Sequence, residues 1–195
     1  MIFIQNLITR RPYLIFLGGV FLFGLIFIQY FSVMPVYYHT AWQLSELHIG
    51  WLLSMNGVVI FLFEMPLIKY LDRDRFSIFK IMMISSALLA ISFFILNLSS
   101  WVGILIIGML FATWAEMMCF PFSNTFALKR AGKGNEGKYM GYYTMAFSMA
   151  HIVGHNLGMR LSGSMGYPWL MNMIGVLALL SGVMFWWVKR KDNAI

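Results

Sequence analysis

Apolar residues run along this chain in long, nearly unbroken stretches, without the alternation of a half-buried strand. A helix that crosses a bilayer needs about 20 largely apolar residues. Six stretches reach that length: Pro12–Val36, His48–Leu71, Phe76–Leu98, Trp101–Leu128, Lys138–Ser164 and Pro168–Val188. The fourth and fifth are long enough to tilt or to extend past the membrane. Between them lie helix starters and breakers. Ser45 is placed to cap the second helix, Asn97-Leu98-Ser99-Ser100 predicts a tight turn, and the glycine-rich residues 132–137 predict a flexible loop. The expected fold is an all-α membrane protein of six transmembrane helices over residues 12–188, with a lead-in at 1–11 and a basic tail at 189–195.

Composition supports that pattern and excludes a water-soluble domain. Hydrophobic residues make up 61% of the 195 and charged residues only 11%, too few to cover a soluble core. Lipid suits such a chain, because each helix pairs its own backbone polar groups. The net charge of +7 does not point to nucleic acid, since the basic residues sit in short clusters between apolar runs. Those clusters set a direction. Arg10 and Arg11 precede span one; Lys69, Arg73, Arg75 and Lys80 flank the second connection; Lys129, Arg130, Lys133 and Lys138 flank the fourth; and Lys189, Arg190 and Lys191 follow span six. Thirteen of the 14 basic residues thus fall on one side, with Arg160 alone on the other. The positive-inside rule then places both termini in the cytoplasm. No cleavable signal is expected, because Arg10 and Arg11 follow an apolar start and the next apolar run is too long for a signal core. The single cysteine, Cys119, excludes an internal disulfide.

Candidate chemistry lies in polar residues within the spans, which are costly there and often functional. In span five, Thr144, Ser148, His151 and His155 form one polar stripe at helical spacing. Beside it Ala146, Ala150, Gly154, Gly158 and Ser162 recur every four residues and predict a closely packed neighbour. The histidines are read either as interhelical hydrogen-bonding groups or as proton-coupling groups; as metal ligands they lack a third partner. Glu64 and Glu116 are the acidic residues within spans, and each precedes a proline (Pro66 and Pro121) where a helix could bend. A lone carboxyl taken out of water favours its neutral form, which suits a proton carrier. Glu64 has a competing reading as the partner of a base near the helix end. Gln29 and Asn56 are read chiefly as helix–helix bonds, although a transport cavity would use both. The 17 methionines fit adaptable apolar packing.

In order and spacing these residues resemble the C-terminal half of a major facilitator superfamily transporter. Residues 64–73, from Glu64 to the Asp72-Arg73 pair, resemble the end of that family's eighth helix and its cytoplasmic loop signature, with Ile68 where the signature carries glycine. Ala115-Glu116-Met117-Met118-Cys119-Phe120-Pro121 resembles a tenth-helix segment of the drug:proton antiporter-like branch, and Glu136-Gly137-Lys138-Tyr139-Met140-Gly141 the start of the eleventh helix. Residues 1–8 are similar to the stretch that links the two halves. The resemblance implies proton-driven movement or efflux of a small solute by alternating access, in a bacterial cytoplasmic membrane. Its pathway residues would be Gln29, Asn56, Glu64, Glu116, His151 and His155. It also implies a second six-helix half, supplied by a longer protein or by another copy, which the Asp72-Arg73 loop would brace. No cofactor or metal is expected. The alternative is a non-transporting assembly or regulatory subunit whose polar residues only fasten helices. No motif of a hydrolase, zinc protease or phosphate-binding enzyme is present in the sequence.

Overall fold

A computed structural model of the chain describes residues 2–72 and 76–192, with side chains from 11 to 191 within those limits. The loop-signature residue Arg73 therefore lies outside the described residues, and Asp72 is the exposed residue that ends its helix. Among the described residues the elements are α1 (Ile2–Phe27), α2 (Gln29–Thr40), α3 (Glu46–Leu71), α4 (Ile78–Phe94), a short 3-10 turn (Ile95–Asn97), α5 (Gly103–Ala131), α6 (Glu136–Met165) and α7 (Tyr167–Asp192). Taken as one span, α1 and α2 give a bundle of six spanning elements and no strand, as the apolar pattern predicts. The predicted cap at Ser45 is present: its side chain accepts from the His48 backbone N–H.

Five of these spans are both long and apolar enough to cross a membrane. The sixth, α6, has the length, at 30 residues, but its polar stripe and its glycines lower its hydropathy. At 1.5 Å per residue a helix of this length reaches about 45 Å, more than the hydrocarbon core. Its place in the bundle comes from packing.

The core is built from large side chains sealed between α1, α2, α4, α5 and α7: Phe16, Phe23, Tyr30, Phe93, Leu105 and Phe185 are almost wholly buried. Lipid is as apolar as these side chains, so close packing and hydrogen bonds must hold the helices together. The bonds are distributed through the bundle. The Ser181 hydroxyl of α7 donates to the Gly19 carbonyl of α1 at 2.9 Å. The Tyr13 hydroxyl of α1 donates to the Tyr139 carbonyl of α6 at 2.7 Å. The buried Tyr30 hydroxyl lies 3.2 Å from the carbonyls of both Ser92 and Gly108, so it ties α2 to α4 and α5. Each such bond contributes about 0.6–2 kcal/mol in a membrane.

Two features depart from the pattern read along the chain. The first span is interrupted at Ile28, whereas α3 and α5 are continuous through Pro66 and Pro121. A proline removes one helical hydrogen bond, which a long packed helix tolerates. At Ile28 the departure is slight, since its own N–H and carbonyl keep helical bonds to Gly24 and Ser32. The amide nitrogen of Gln29 donates to the Leu25 carbonyl at 2.8 Å, and the Phe31 N–H turns to the Ile28 carbonyl in a tighter turn. The second departure is exposure. α3 buries only Ile49, Asn56 and Leu71, and α6 only Tyr143, Ala150, Gly154 and Gly158, so both helices present most of their surface outward.

Candidate functional site

The two stripes of α6 face different ways. Ala150, Gly154 and Gly158 are buried, with Ala146 and Ser162 at the edge, against α1 and α2. A methyl group on Gly154 would come within 2.6 Å of Ile28 Cγ2 and 2.9 Å of the Leu25 carbonyl oxygen, and one on Gly158 would overlap the Gln29 amide. The backbones approach closely because these two positions carry no side chain. Into this contact Gln29 places its amide nitrogen, which also donates to the Gly154 carbonyl at 3.0 Å. Its oxygen lies 3.5 Å from the Ser32 hydroxyl. Gln29 is only 2% exposed, so it joins helices inside the bundle.

The polar stripe is turned away from that contact. Thr144, Ser148 and His155 are exposed and His151 is half-buried. The His151 ring packs on Phe147, with centroids 4.5 Å apart. Its Nε2 is closed off from the surface and has no hydrogen-bond partner among the described residues. Through that atom His151 makes no interhelical bond among the described residues.

Glu116 is the centre of a second polar group, between α3 and α5. Asn56, 6% exposed, donates from its single amide nitrogen to the Glu116 carboxylate at 2.9 Å and to the Thr113 hydroxyl at 3.0 Å. Thr113, wholly buried, donates its own hydroxyl hydrogen bond to the Met109 carbonyl one turn back, at 2.8 Å. Its oxygen is therefore free to accept from Asn56. Glu116 itself is half-buried, as is Glu64, two turns beyond Asn56 on α3. The structure brings Asn56 and Glu116 together, whereas Gln29 bonds in the separate contact of α1 and α2 with α6. Thr113 belongs to this group and was missed in the sequence, where its only signal is its position three residues before Glu116 on the same helix face.

A groove of about 380 Å³ opens between α5 and α6, lined by Phe120, Pro121, Asn124, Tyr143 and Phe147. Tyr143 and Ser123 share a hydrogen bond of 2.9 Å at its edge. Glu116 lies one turn beyond Phe120 on α5, and His151 one turn beyond Phe147 on α6. The two helices run in opposite senses, yet both steps lead away from the end that carries Lys129, Arg130 and Lys138. The carboxylate and the imidazole therefore sit at the same end of one groove. Among the described residues no three histidine, cysteine or acidic side chains are grouped to hold a metal.

Glu116 and His151 are thus ionisable residues one turn from the lining of this groove. Comparison with known proteins identifies the family. The family model of the Major Facilitator Superfamily matches residues 14–194. A curated relative, the "Na(+), Li(+), K(+)/H(+) antiporter" of Planococcus maritimus, is 22% identical over 196 residues, covering 93% of this chain and 46% of the relative. The chain thus spans about half the length of that protein. No solved structure matches. With the family model extending over nearly all of its helical bundle, the chain belongs to the major facilitator superfamily.

Proposed function

We propose that this chain is the C-terminal six-helix half of a secondary transporter that moves a small solute in exchange for protons by alternating access. In this reading Glu116 carries the proton, Asn56 holds the carboxylate in position, and Glu64 and His151 handle charge beside it. The observation that supports it best is the Asn56 bond to Glu116 across two helices. A carboxylate at such a contact changes its surroundings whenever α3 and α5 part, and a change between dry and wet surroundings changes its hold on a proton. His155, exposed one turn beyond His151, would face the cavity once a second half closes over it.

The likeness to a protein named as a cation/proton antiporter makes a monovalent cation the solute to test first. The basic end, including both termini, would face the cytoplasm of a bacterium. The second half would come from a longer protein or from another copy.

A non-transporting assembly subunit needs its polar residues only to fasten helices. Gln29 fits that use, and so does the Asn56–Glu116 bond; the His151 Nε2, without a partner among the described residues, does not. The test is cation-driven proton movement in everted membrane vesicles containing the protein. Glu116→Gln should abolish it and His151→Ala should lower it, with membrane insertion normal in both. Unchanged proton movement in both variants would refute the site, and none in the parent protein would favour the assembly subunit.

A further inference from the structure

The outer surface of α4 and α7 differs from that of α3 and α6. Along α4 the exposed side chains are Lys80, Ile84 and Ile91. Along α7 they are apolar from Val176 to Trp186 and then turn basic at Arg190 and Lys191. This side of the bundle carries no exposed polar group through the middle of the span, so it suits lipid.

Between these two helices lies an apolar groove of about 290 Å³. Met83 and Ala87 form one wall, Leu179, Val183 and Trp186 the other, and Ser86 and Gly182 lie where the helices meet. A methyl group on Gly182 would lie 3.2 Å from Ser86 Cβ, and one on Gly175 would meet the Phe94 ring, so α4 and α7 run antiparallel. The Ser86 hydroxyl is spent on the Met82 carbonyl at 3.0 Å, which leaves the groove dry in character.

The groove has one charged end. Lys80 lies one turn before Met83 on α4, and Arg190 one turn after Trp186 on α7. Because the helices are antiparallel, both steps go the same way. Each places a positive charge about 5 Å beyond the groove wall, at the basic end of the bundle. The Arg190 guanidinium stands 4.4 Å over the Trp186 ring, and the Lys191 ammonium 5.6 Å from the Trp187 ring. Such contacts hold an indole at headgroup depth with a cation above it.

We infer that this groove binds an anionic phospholipid, an acyl chain lying along α4 and α7 and the phosphate meeting Lys80 and Arg190. An apolar slot alone would accept any lipid tail. Two convergent cations at its mouth select the headgroup. The groove shares no lining residue with the Glu116 group and does not depend on what the protein transports.

The test is native mass spectrometry of the full chain in detergent, with phosphatidylglycerol and phosphatidylcholine of the same acyl chains. Phosphatidylglycerol should be retained preferentially. Lys80→Gln and Arg190→Gln should each weaken that preference about fivefold. Ala87→Phe, which fills the groove, should weaken both lipids; should it fail to fold, the two surface variants still decide. Equal retention of the two lipids, or a preference unchanged in the double variant, would overturn the assignment. Displacement of phosphatidylglycerol by inorganic phosphate alone would do the same, because it would leave the groove without a part.

Discussion

Gln29 and Asn56 are both buried amides, yet their surroundings give them opposite characters. Gln29 donates to two backbone carbonyls, Leu25 and Gly154, that stay where the helices put them. Replacing it with methionine, of similar size, should cost about 1–2 kcal/mol, seen as a lower unfolding temperature in detergent. Transport per folded molecule should be little changed. Asn56 instead donates to an ionisable group, the Glu116 carboxylate. Asn56→Leu should lower coupled transport by about tenfold or more, the effect of losing a hydrogen bond to a charged group. Both amides were visible in the sequence as polar residues inside spans. Their partners were not, because a contact between residues 57 or 60 positions apart depends on how two helices are rotated, which no local pattern records. Thr113 escaped for a simpler reason: a threonine that bonds its own helix looks ordinary in any span.

At the scale of the helix, α6 was the most legible element and the first span the least. The 3.6-residue repeat separated the small stripe of α6 from its polar stripe, and the structure buries the one and exposes most of the other. The close contact gives a direct prediction. Gly158→Leu should destabilise the bundle by about 1–3 kcal/mol or more, because the Gln29 amide occupies the space a side chain needs. Gly141→Ala, on the same helix with nothing within 4 Å of the added carbon, should be neutral or stabilising by up to about 1 kcal/mol. Thermal unfolding of the two variants in one detergent makes the comparison. The break at Ile28 was not legible. Prolines draw attention as breakers, and Pro66 and Pro121 sit in continuous helices. The tighter turn lies beside Gln29, whose amide bonds Leu25 and Gly154, and the second of these depends on the neighbouring helix.

On the scale of the whole molecule, the spans were readable because apolar length is a property of single segments. Which of their faces meet is not. α4, α7 and the first span share a packed core, while α3 and α6 keep most of their surface outward, and the outward face of α6 carries Thr144, Ser148 and His155. Polar groups left in lipid cost free energy, so a second six-helix half covering them is the arrangement the proposal requires. Cysteines introduced at Ser148 or His155 should cross-link to that half and resist lipid-soluble thiol reagents once it is bound. Cysteines at Ile84 or Val176, on the apolar side, should stay open to those reagents.

The most direct measurement is uptake of labelled sodium or potassium into vesicles that contain the protein, driven by an imposed pH gradient. Proton-coupled exchange through Glu116 predicts uptake that stops when a protonophore collapses the gradient and is absent in Glu116→Gln. Uptake that persists after collapse, or that is equal in Glu116→Gln and the parent protein, would contradict it.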